Sequence, residues 1–327
     1  MTNKESRFVL TRDWLDSGVE TVSAKSLWLS NKSCNCKGHK ALPLEGFIEA
    51  TFPSDQMVQE VVQAMSNAFM TRLSTQTVGS VADLLLLFSD AEIAKIIEPI
   101  IQSYISSSVV GGGQSSLGEL GTSGVGVGFD MQIPEIQKFV EEYSARLVTN
   151  TGNLMNFDLE EILEEGIANG DSLSELTYRT QLWAGEVATN SDDPIARGVG
   201  EVRTISHRAE LVARTEMNRA YNAGREMSWS QVPNLIVGKV WSMSTMPCEF
   251  CASAGREFPS DLTGKIAPVG EPFYTLGHPL AGTDGGVYML DYEPIVRPPL
   301  HPNCRCSVKA VTRTELEEAG RSETEIK

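Results

Sequence analysis

The chain has 327 residues, and its 43 aspartate and glutamate residues outnumber its 27 lysine and arginine residues, which gives a net charge of −16. This length suffices for two domains, or for one domain with a long helical extension, and it excludes a single small domain. Attraction to nucleic acid needs clustered lysine and arginine, so the acidic balance predicts at most weak contact with DNA.

Hydropathy and the N-terminal sequence indicate in which cellular compartment the protein is expected. No apolar run approaches the roughly 18 residues that a membrane helix needs, and the longest candidate, residues 81–88, already contains Asp83. The first seven residues lack the charged start and apolar core of a secretory signal. We therefore expect a soluble protein without membrane contact in a reducing compartment, where cysteines bind metal more readily than they form disulfides.

Residues 1–45 predict an N-terminal arm, because they show no sustained helical stripe of apolar residues. The arm contains Cys34, Cys36 and His39 in a C-x-C-x-x-H pattern. Three ligands make an incomplete metal site, so this cluster binds metal only if the fold or a partner supplies a fourth group. The alternative is a plain solvent-exposed arm.

Residues 46–110 predict a helical region of two or three helices. Their apolar residues recur three and four positions apart, which is the helical period: Val62, Met65, Phe69, Leu73, Ile93, Ile96, Ile97, Ile100 and Ile101. Residues 111–130 are rich in glycine and serine and predict a flexible linker. A phosphate-binding loop is not indicated, because no lysine–serine or lysine–threonine pair follows these glycines.

The segment from residue 131 to residue 200 predicts three helices. Pro134 suits the first turn of one helix, and a second is expected from Asp158 to Glu165, with glycines at 166 and 170 ending it. Ser172 and Glu175 form a capping box that starts the third. The segment holds 4 lysine and arginine residues against 13 aspartate and glutamate residues, which predicts a solvated acidic face.

A further helix is predicted from residue 201 to residue 228. Its apolar stripe comprises Val202, Ile205, Ala209, Val212, Ala220 and Ala223. Glu216 falls on that stripe, and a buried carboxylate needs a partner such as Arg214, another arginine or backbone amides. Arg214, Asn218, Asn222 and Arg225 follow each other on the neighbouring face. Since no histidine or nucleophile stands beside Glu216, a polar network that attaches this helix to the next segment is favoured over a general base.

Two short clusters carry the strongest chemical signal. After a predicted strand over residues 236–243 comes Cys248-Glu-Phe-Cys251, and later His301-Pro-Asn-Cys304-Arg-Cys306. Two such half-sites suit one tetrahedral zinc ion, and four protein ligands leave no open position for water, so the pattern indicates a structural site. We favour Cys248, Cys251, His301 and Cys306 as ligands, with Cys304 as the substitute for Cys306. Reduced packed thiols or a disulfide are the alternatives.

The rest of the C-terminal part predicts hairpins and loops, because proline, glycine and aspartate dominate residues 255–299. Residues 313–327 predict a charged, frayed helix or tail. The predicted fold class is therefore α+β: mainly helical N-terminal and central parts, followed by a small α+β domain over residues 231–312 with a Cys/His metal knuckle.

Taken together, these motifs resemble the head morphogenesis family of tailed bacteriophages, which includes the Mu F protein and the SPP1 minor head protein. The resemblance rests on residues 208–216 with the Ala-Arg-Thr-Glu sequence that ends at Glu216, on the C-x-x-C pair and on the His-Pro-Asn-Cys-Arg-Cys run. It covers about residues 130–310. Met246-Pro247 stands where relatives have an aspartate-containing turn, so the local turn is expected to differ while the ligands stay.

The resemblance implies a minor capsid protein without catalytic residues, made in the host cytoplasm and placed inside the virion. Such proteins associate with the portal protein, and scaffold or major capsid protein are further possible partners. The implied roles are head assembly, DNA packaging or DNA delivery. The alternative is an enzyme, because domains of this family are sometimes fused to ADP-ribosyltransferase or other toxin modules. The first 130 residues lack the strand-rich elements of such a transferase.

Overall fold

The protein is mainly helical, with a small two-stranded antiparallel sheet near the C-terminus, which confirms the predicted fold class. The computed structural model describes residues 21–23, 55–121, 128–185, 192–201, 205–245, 247–282, 286–290, 293–301 and 304–326. Within these residues, no helix is long and apolar enough to cross a membrane.

Three helices occupy the predicted helical region: α1 (Asp55–Thr75), α2 (Val81–Leu87) and α3 (Asp90–Glu119). Ser80 caps α2, because its side chain accepts the backbone N–H of Asp83. Three aromatic rings pack against one another in the core of this part. The ring of Phe69 stacks on that of Phe88 with centroids 5.5 Å apart, and Trp183 meets both rings edge-on at 5.6 Å.

The predicted linker is wrong for residues 111–119, which belong to α3. The reason is a close helix crossing that only glycine permits. A Cβ atom on Gly112 would lie 1.9 Å from the carbonyl oxygen of Tyr221, and one on Gly224 would lie 2.0 Å from that of Val109. The glycines therefore let two backbones approach rather than loosen the chain. Residues 122–127 lie outside the described part.

The next two predicted helices are one, α4 (Pro134–Asn169), with Pro134 in its first turn as expected. The predicted start at Asp158 is wrong: this side chain is 1% exposed in mid-helix, and the buried residues Met155, Leu159 and Ile162 continue the helical period past it. The helix ends at Gly170 in the left-handed conformation (φ 80°).

Helix α5 (Leu173–Ala184) begins with the predicted capping box of Ser172 and Glu175. Two helices follow, α6 (Pro194–Glu201) and α7 (Ile205–Ser228), where one was predicted from residue 201 onward. Residues 202–204, including Val202 of the predicted stripe, lie outside the described part. A short 3₁₀ turn, Trp229–Gln231, ends this half of the chain.

All these helices share one hydrophobic core, whose buried residues run from Val61 to Ala220. Helix α7 packs against α3 and α1, while α4 packs against α3 and α5. The exposed carboxylates of α4 include Glu160, Glu161 and Glu164, which agrees with the predicted solvated face. The residues before and after the glycine-rich segment thus contribute to one packed helical body.

The C-terminal part is built on strands β2 (Ile236–Ser242) and β5 (Ser307–Thr312), which pair antiparallel with Trp241 opposite Val308. Helix α8 (Glu249–Glu257) follows β2. A second sheet has the order β1 (Thr21–Ser23), β4 (Val287–Met289), β3 (Pro279–Ala281), with β1 parallel to β4. A separate core, with buried residues from Trp229 to Ala310, lies around the cysteines.

The C-terminal segment was predicted to be a frayed helix or tail, but it is ordered. Helix α9 (Arg313–Glu318) starts with a capping box between Thr312 and Glu315. Leu316 is 1% exposed and packs in a third small core with Val240, Leu262 and Ile266. Arg321 adds hydrogen bonds to the carbonyl oxygens of Leu262 and Gly264, so both apolar and polar contacts hold the charged segment.

Candidate metal centre

The first half-site lies at the start of helix α8. Cys248 is the N-cap residue, and its sulfur accepts the backbone N–H of Cys251, 3.5 Å away. The C-x-x-C spacing places Cys251 one helical turn later on the same side as Cys248. Cys248 therefore lies at the end of the helix where free N–H groups favour thiolate over thiol.

The second half-site is the segment that leads into β5. His301 begins a tight turn, in which the N–H of Cys304 donates to its carbonyl oxygen at 3.2 Å. Cys306 directly precedes Ser307, the first residue of β5. Since β5 pairs with β2, and β2 leads into the first half-site, the small sheet brings the two half-sites together.

All five predicted ligand residues meet in one cluster. The Nε2 atom of His301 lies 2.9 Å from the sulfur of Cys248 and 3.2 Å from that of Cys251, and the sulfurs of Cys251 and Cys304 are 3.5 Å apart. Cys248, Cys251 and His301 form one group with ligand atoms within 4.8 Å of each other, and Cys251, Cys304 and Cys306 form a second. Cys251 is common to both groups.

Part of this cluster approaches the spacing of a tetrahedral site. Bonds of about 2.3 Å to sulfur and 2.0 Å to nitrogen imply ligand–ligand separations of roughly 3.4 to 3.8 Å. The 3.5 Å between the sulfurs of Cys251 and Cys304 lies in this range, whereas the distances of 2.9 and 3.2 Å from His301 to the sulfurs of Cys248 and Cys251 are shorter. All four cysteines are free thiols and at most 9% exposed. Thiolates and a neutral imidazole in a buried setting are a donor set that suits zinc.

The protonation of the sulfurs also fits a cation. Hydrogen bonds from Cys251 and His301 lower the pKa of the Cys248 thiol to about 4. The same proximity raises the pKa of Cys251, which acts as donor to Cys248, Cys304 and Cys306. Without a positive ion, some of these crowded sulfurs must keep their protons; a bound dication would allow all ligand sulfurs to ionise.

Cys304 and Cys306 differ in their surroundings. Burial raises the pKa of Cys304. In contrast, hydrogen bonds from Cys251 and Cys304, together with the backbone N–H of Ser244, lower the pKa of Cys306. The buried indole nitrogen of Trp241 has no hydrogen-bond partner within the described residues. The choice of Cys306 over Cys304 as fourth ligand stays a prediction.

The polar track of helix α7 contacts this second half-site. Asn218 donates to the carbonyl oxygens of Cys304 at 2.8 Å and Cys306 at 3.2 Å, and Arg225 donates to that of Val308 at 2.7 Å. The side-chain oxygen of Asn222 accepts the backbone N–H of Val308 at 2.7 Å. The network interpretation of this track thus agrees with the contacts, except that Arg214 pairs with Glu210 of its own helix.

Glu216 is buried on the apolar stripe as predicted, and 6% of it is exposed. Its carboxylate accepts hydrogen bonds from the hydroxyl of Tyr143 in α4 and, at 3.1 Å, from Arg219 one turn further along α7. Arg219 also pairs with Glu293. The partners of Glu216 are therefore Arg219, which fits the predicted alternative of another arginine, and a tyrosine that the sequence pattern did not indicate.

A second buried network was missed from the sequence. Lys239 of β2 is fully buried and donates to Glu226 of α7 at 2.6 Å and to the carbonyl oxygen of Val296 at 2.8 Å. Arg297 also donates to Glu226, at 2.7 Å. The only sequence signal was a lysine between the apolar residues of a short strand. This network is a second attachment of α7 to the C-terminal part.

The attraction of Lys239 and Arg297 keeps the pKa of Glu226 below its usual value, although burial acts in the opposite direction. Burial lowers the pKa of Lys239 against the attraction of Glu226. Attraction outweighs burial for Glu226 because two cations contact it. Burial outweighs attraction for Lys239 because it shares its one carboxylate with Arg297. We take Glu226 to be ionised. The predicted cluster of Cys34, Cys36 and His39 lies outside the described residues.

The fold and site define an α+β protein whose mainly helical body carries a buried group of cysteine and histidine side chains that could hold a metal ion. Residues 158–309 match the family described as Phage Mu protein F like protein. This match, over just under half of the chain, confirms the resemblance to the phage head morphogenesis family that the motifs indicated. No curated protein and no solved structure matches the chain at a significant level.

Proposed function

We propose that this protein is a minor capsid protein of a tailed bacteriophage that sits inside the head in association with the portal. One observation supports this most: the family match over residues 158–309 includes both half-sites of the Cys/His cluster and the whole polar track of α7. The features that organise the C-terminal part therefore lie within the segment shared with phage head proteins. Head assembly, DNA packaging or DNA delivery is the proposed role.

The cofactor in this proposal is one structural zinc ion held by Cys248, Cys251, His301 and Cys306. A bound zinc would cross-link helix α8 to the segment before β5. Its four protein ligands would leave no position for a reactive water, so the ion would contribute stability rather than catalysis. Elemental analysis of the purified protein should give about one zinc per chain; a metal content near zero after expression with added zinc would refute this part.

The acidic surface supports a protein partner rather than DNA. The segment over residues 131–200 has a net charge of −9, from 4 basic and 13 acidic residues, and DNA would be repelled by it. The portal protein is the proposed partner. Co-expression with the portal protein of the same phage, followed by size exclusion, should give one complex. Separate elution under these conditions would contradict portal association without affecting the zinc proposal.

We further propose that the protein is not an enzyme. Within the described residues, Glu216 is engaged by Tyr143 and Arg219, and the cysteines face one another rather than an open cleft. An ADP-ribosyltransferase would consume NAD. Incubation of the full-length protein with NAD and host lysate should release no nicotinamide above the background of the lysate, and measurable release would support the toxin-module alternative.

A further inference from the structure

We infer that Asn218 and Asn222 of helix α7 are positioning residues of the metal site, which set its affinity without touching the ion. The inference rests on the proposed zinc site and adds two residues that determine how tightly the site binds metal. The two amides bind the backbone of the cysteines rather than their sulfurs. By fixing where that backbone lies, they fix where the sulfurs of Cys304 and Cys306 can reach.

The contacts are numerous for two side chains. The Nδ2 atom of Asn218 donates to the carbonyls of both Cys304 and Cys306, and that of Asn222 donates to Cys306 at 3.2 Å. Asn222 also donates to Asn218, to its backbone oxygen at 2.9 Å and its side-chain oxygen at 3.0 Å, which orients the first amide. Both side chains are at most 1% exposed, so water cannot substitute readily for these bonds.

The backbone at this point needs such support. The ladder between β2 and β5 starts with Ser242 opposite Ser307, so Cys304 and Cys306 lie just before the paired region. Their carbonyls are held by α7 instead of by a neighbouring strand. A buried carbonyl that loses its donor is costly, so removing the amide would let this segment move and would weaken the alignment of two of the four cysteine sulfurs.

The track also connects the metal site to the helical body. Arg225, one helical turn beyond Tyr221 of the glycine crossing, donates to the carbonyl oxygen of Val308 in β5 and pairs with Glu119 of α3. Binding of metal by ordered cysteines should therefore also hold α7 against β5. Coupling free energies are reciprocal. If metal binding strengthens the contact between α7 and β5, loss of that contact should weaken metal binding by the same free energy.

The test is the zinc affinity of full-length variants, measured by competition with a chelating dye at a temperature where each is folded. Asn218→Ala removes the donor, and Asn218→Leu removes it while filling similar space. Arg214→Ala is the matched control, because Arg214 lies on the same track but bonds to Glu210. We expect both Asn218 variants to bind zinc about 10- to 100-fold more weakly, the range seen when groups behind metal ligands are changed, and the control to bind like wild type.

A second readout separates positioning from ligation and from general stability. Cobalt-substituted Asn218 variants should keep the absorption bands of the wild-type ligand set, because no ligand is removed. Unchanged zinc affinity in both Asn218 variants would refute the inference even if their melting temperatures fell. If Asn218→Ala does not fold, Asn222→Leu takes its place with the same expectation. Absence of zinc from the wild-type protein would instead refute the proposed zinc site.

Discussion

The crossing of helices α3 and α7 predicts how much stability a single substitution of glycine by alanine removes. In Gly112→Ala, the new Cβ atom would lie 1.9 Å from the carbonyl oxygen of Tyr221, whereas ordinary contact begins at 3.4 Å. The two backbones would have to separate by about 1.5 Å, the difference between these two distances. The clash is with backbone atoms, so no side chain can rotate away to relieve it.

The expected cost is the balance of two effects. Overpacking of a tight interface costs up to about 3 kcal/mol, while alanine is better than glycine inside a helix by about 1 kcal/mol. We therefore expect Gly112→Ala to lower the free energy of unfolding by about 2 kcal/mol. Gly224→Ala should cost about the same, and the double variant less than the sum, because the first alanine has already separated the helices.

The assay is urea unfolding followed by helical circular dichroism, at constant excess zinc so that metal loss does not contribute. Ser103→Ala is the control, since Ser103 lies on the exposed side of α3 and its change should stay within about 0.5 kcal/mol of wild type. A Gly112→Ala protein that is as stable as wild type, or more so, would show that the helices do not cross at this distance.

Three further predictions concern the metal site and the second buried network. Cys251→Ser should abolish zinc binding, because Cys251 belongs to both ligand groups, and elemental analysis checks this. Cys306→Ser should weaken zinc binding, in the same chelator competition, far more than Cys304→Ser; the reverse order would make Cys304 the fourth ligand. Glu226 has a lowered pKa in the folded protein, so its contribution to stability is present above the pKa of the unfolded chain and is lost as pH falls through the folded value. Glu226→Gln should therefore flatten the loss of stability between about pH 5 and pH 3 in urea titrations, and an unchanged pH profile would contradict the ionised Glu226.

The ligand cluster was predictable because metal sites leave a signature at short range. Two residues three apart at the start of a helix, such as Cys248 and Cys251, point the same way whatever the rest of the fold is. The second half-site, from His301 to Cys306, is equally local. The choice between Cys304 and Cys306 as fourth ligand stays a prediction, and the groups that distinguish them, such as the N–H of Ser244 beside Cys306, come from the fold.

The sequence by itself also determined most helices, since their apolar period and capping residues act within a few turns, as with Pro134 and the Ser172 box. The tertiary structure decided which glycines lie at a helix contact and which charged residues pair in the interior. Gly112 has the composition of a linker but the position of a helix contact, because its partner backbone lies more than 100 residues away. Lys239 and Glu226 are separated by 13 residues and by a turn, and only the fold brings their opposite charges together in a buried site. The sequence therefore determined the features that depend on neighbouring residues. Only the tertiary structure decided those that depend on contacts between distant parts of the chain.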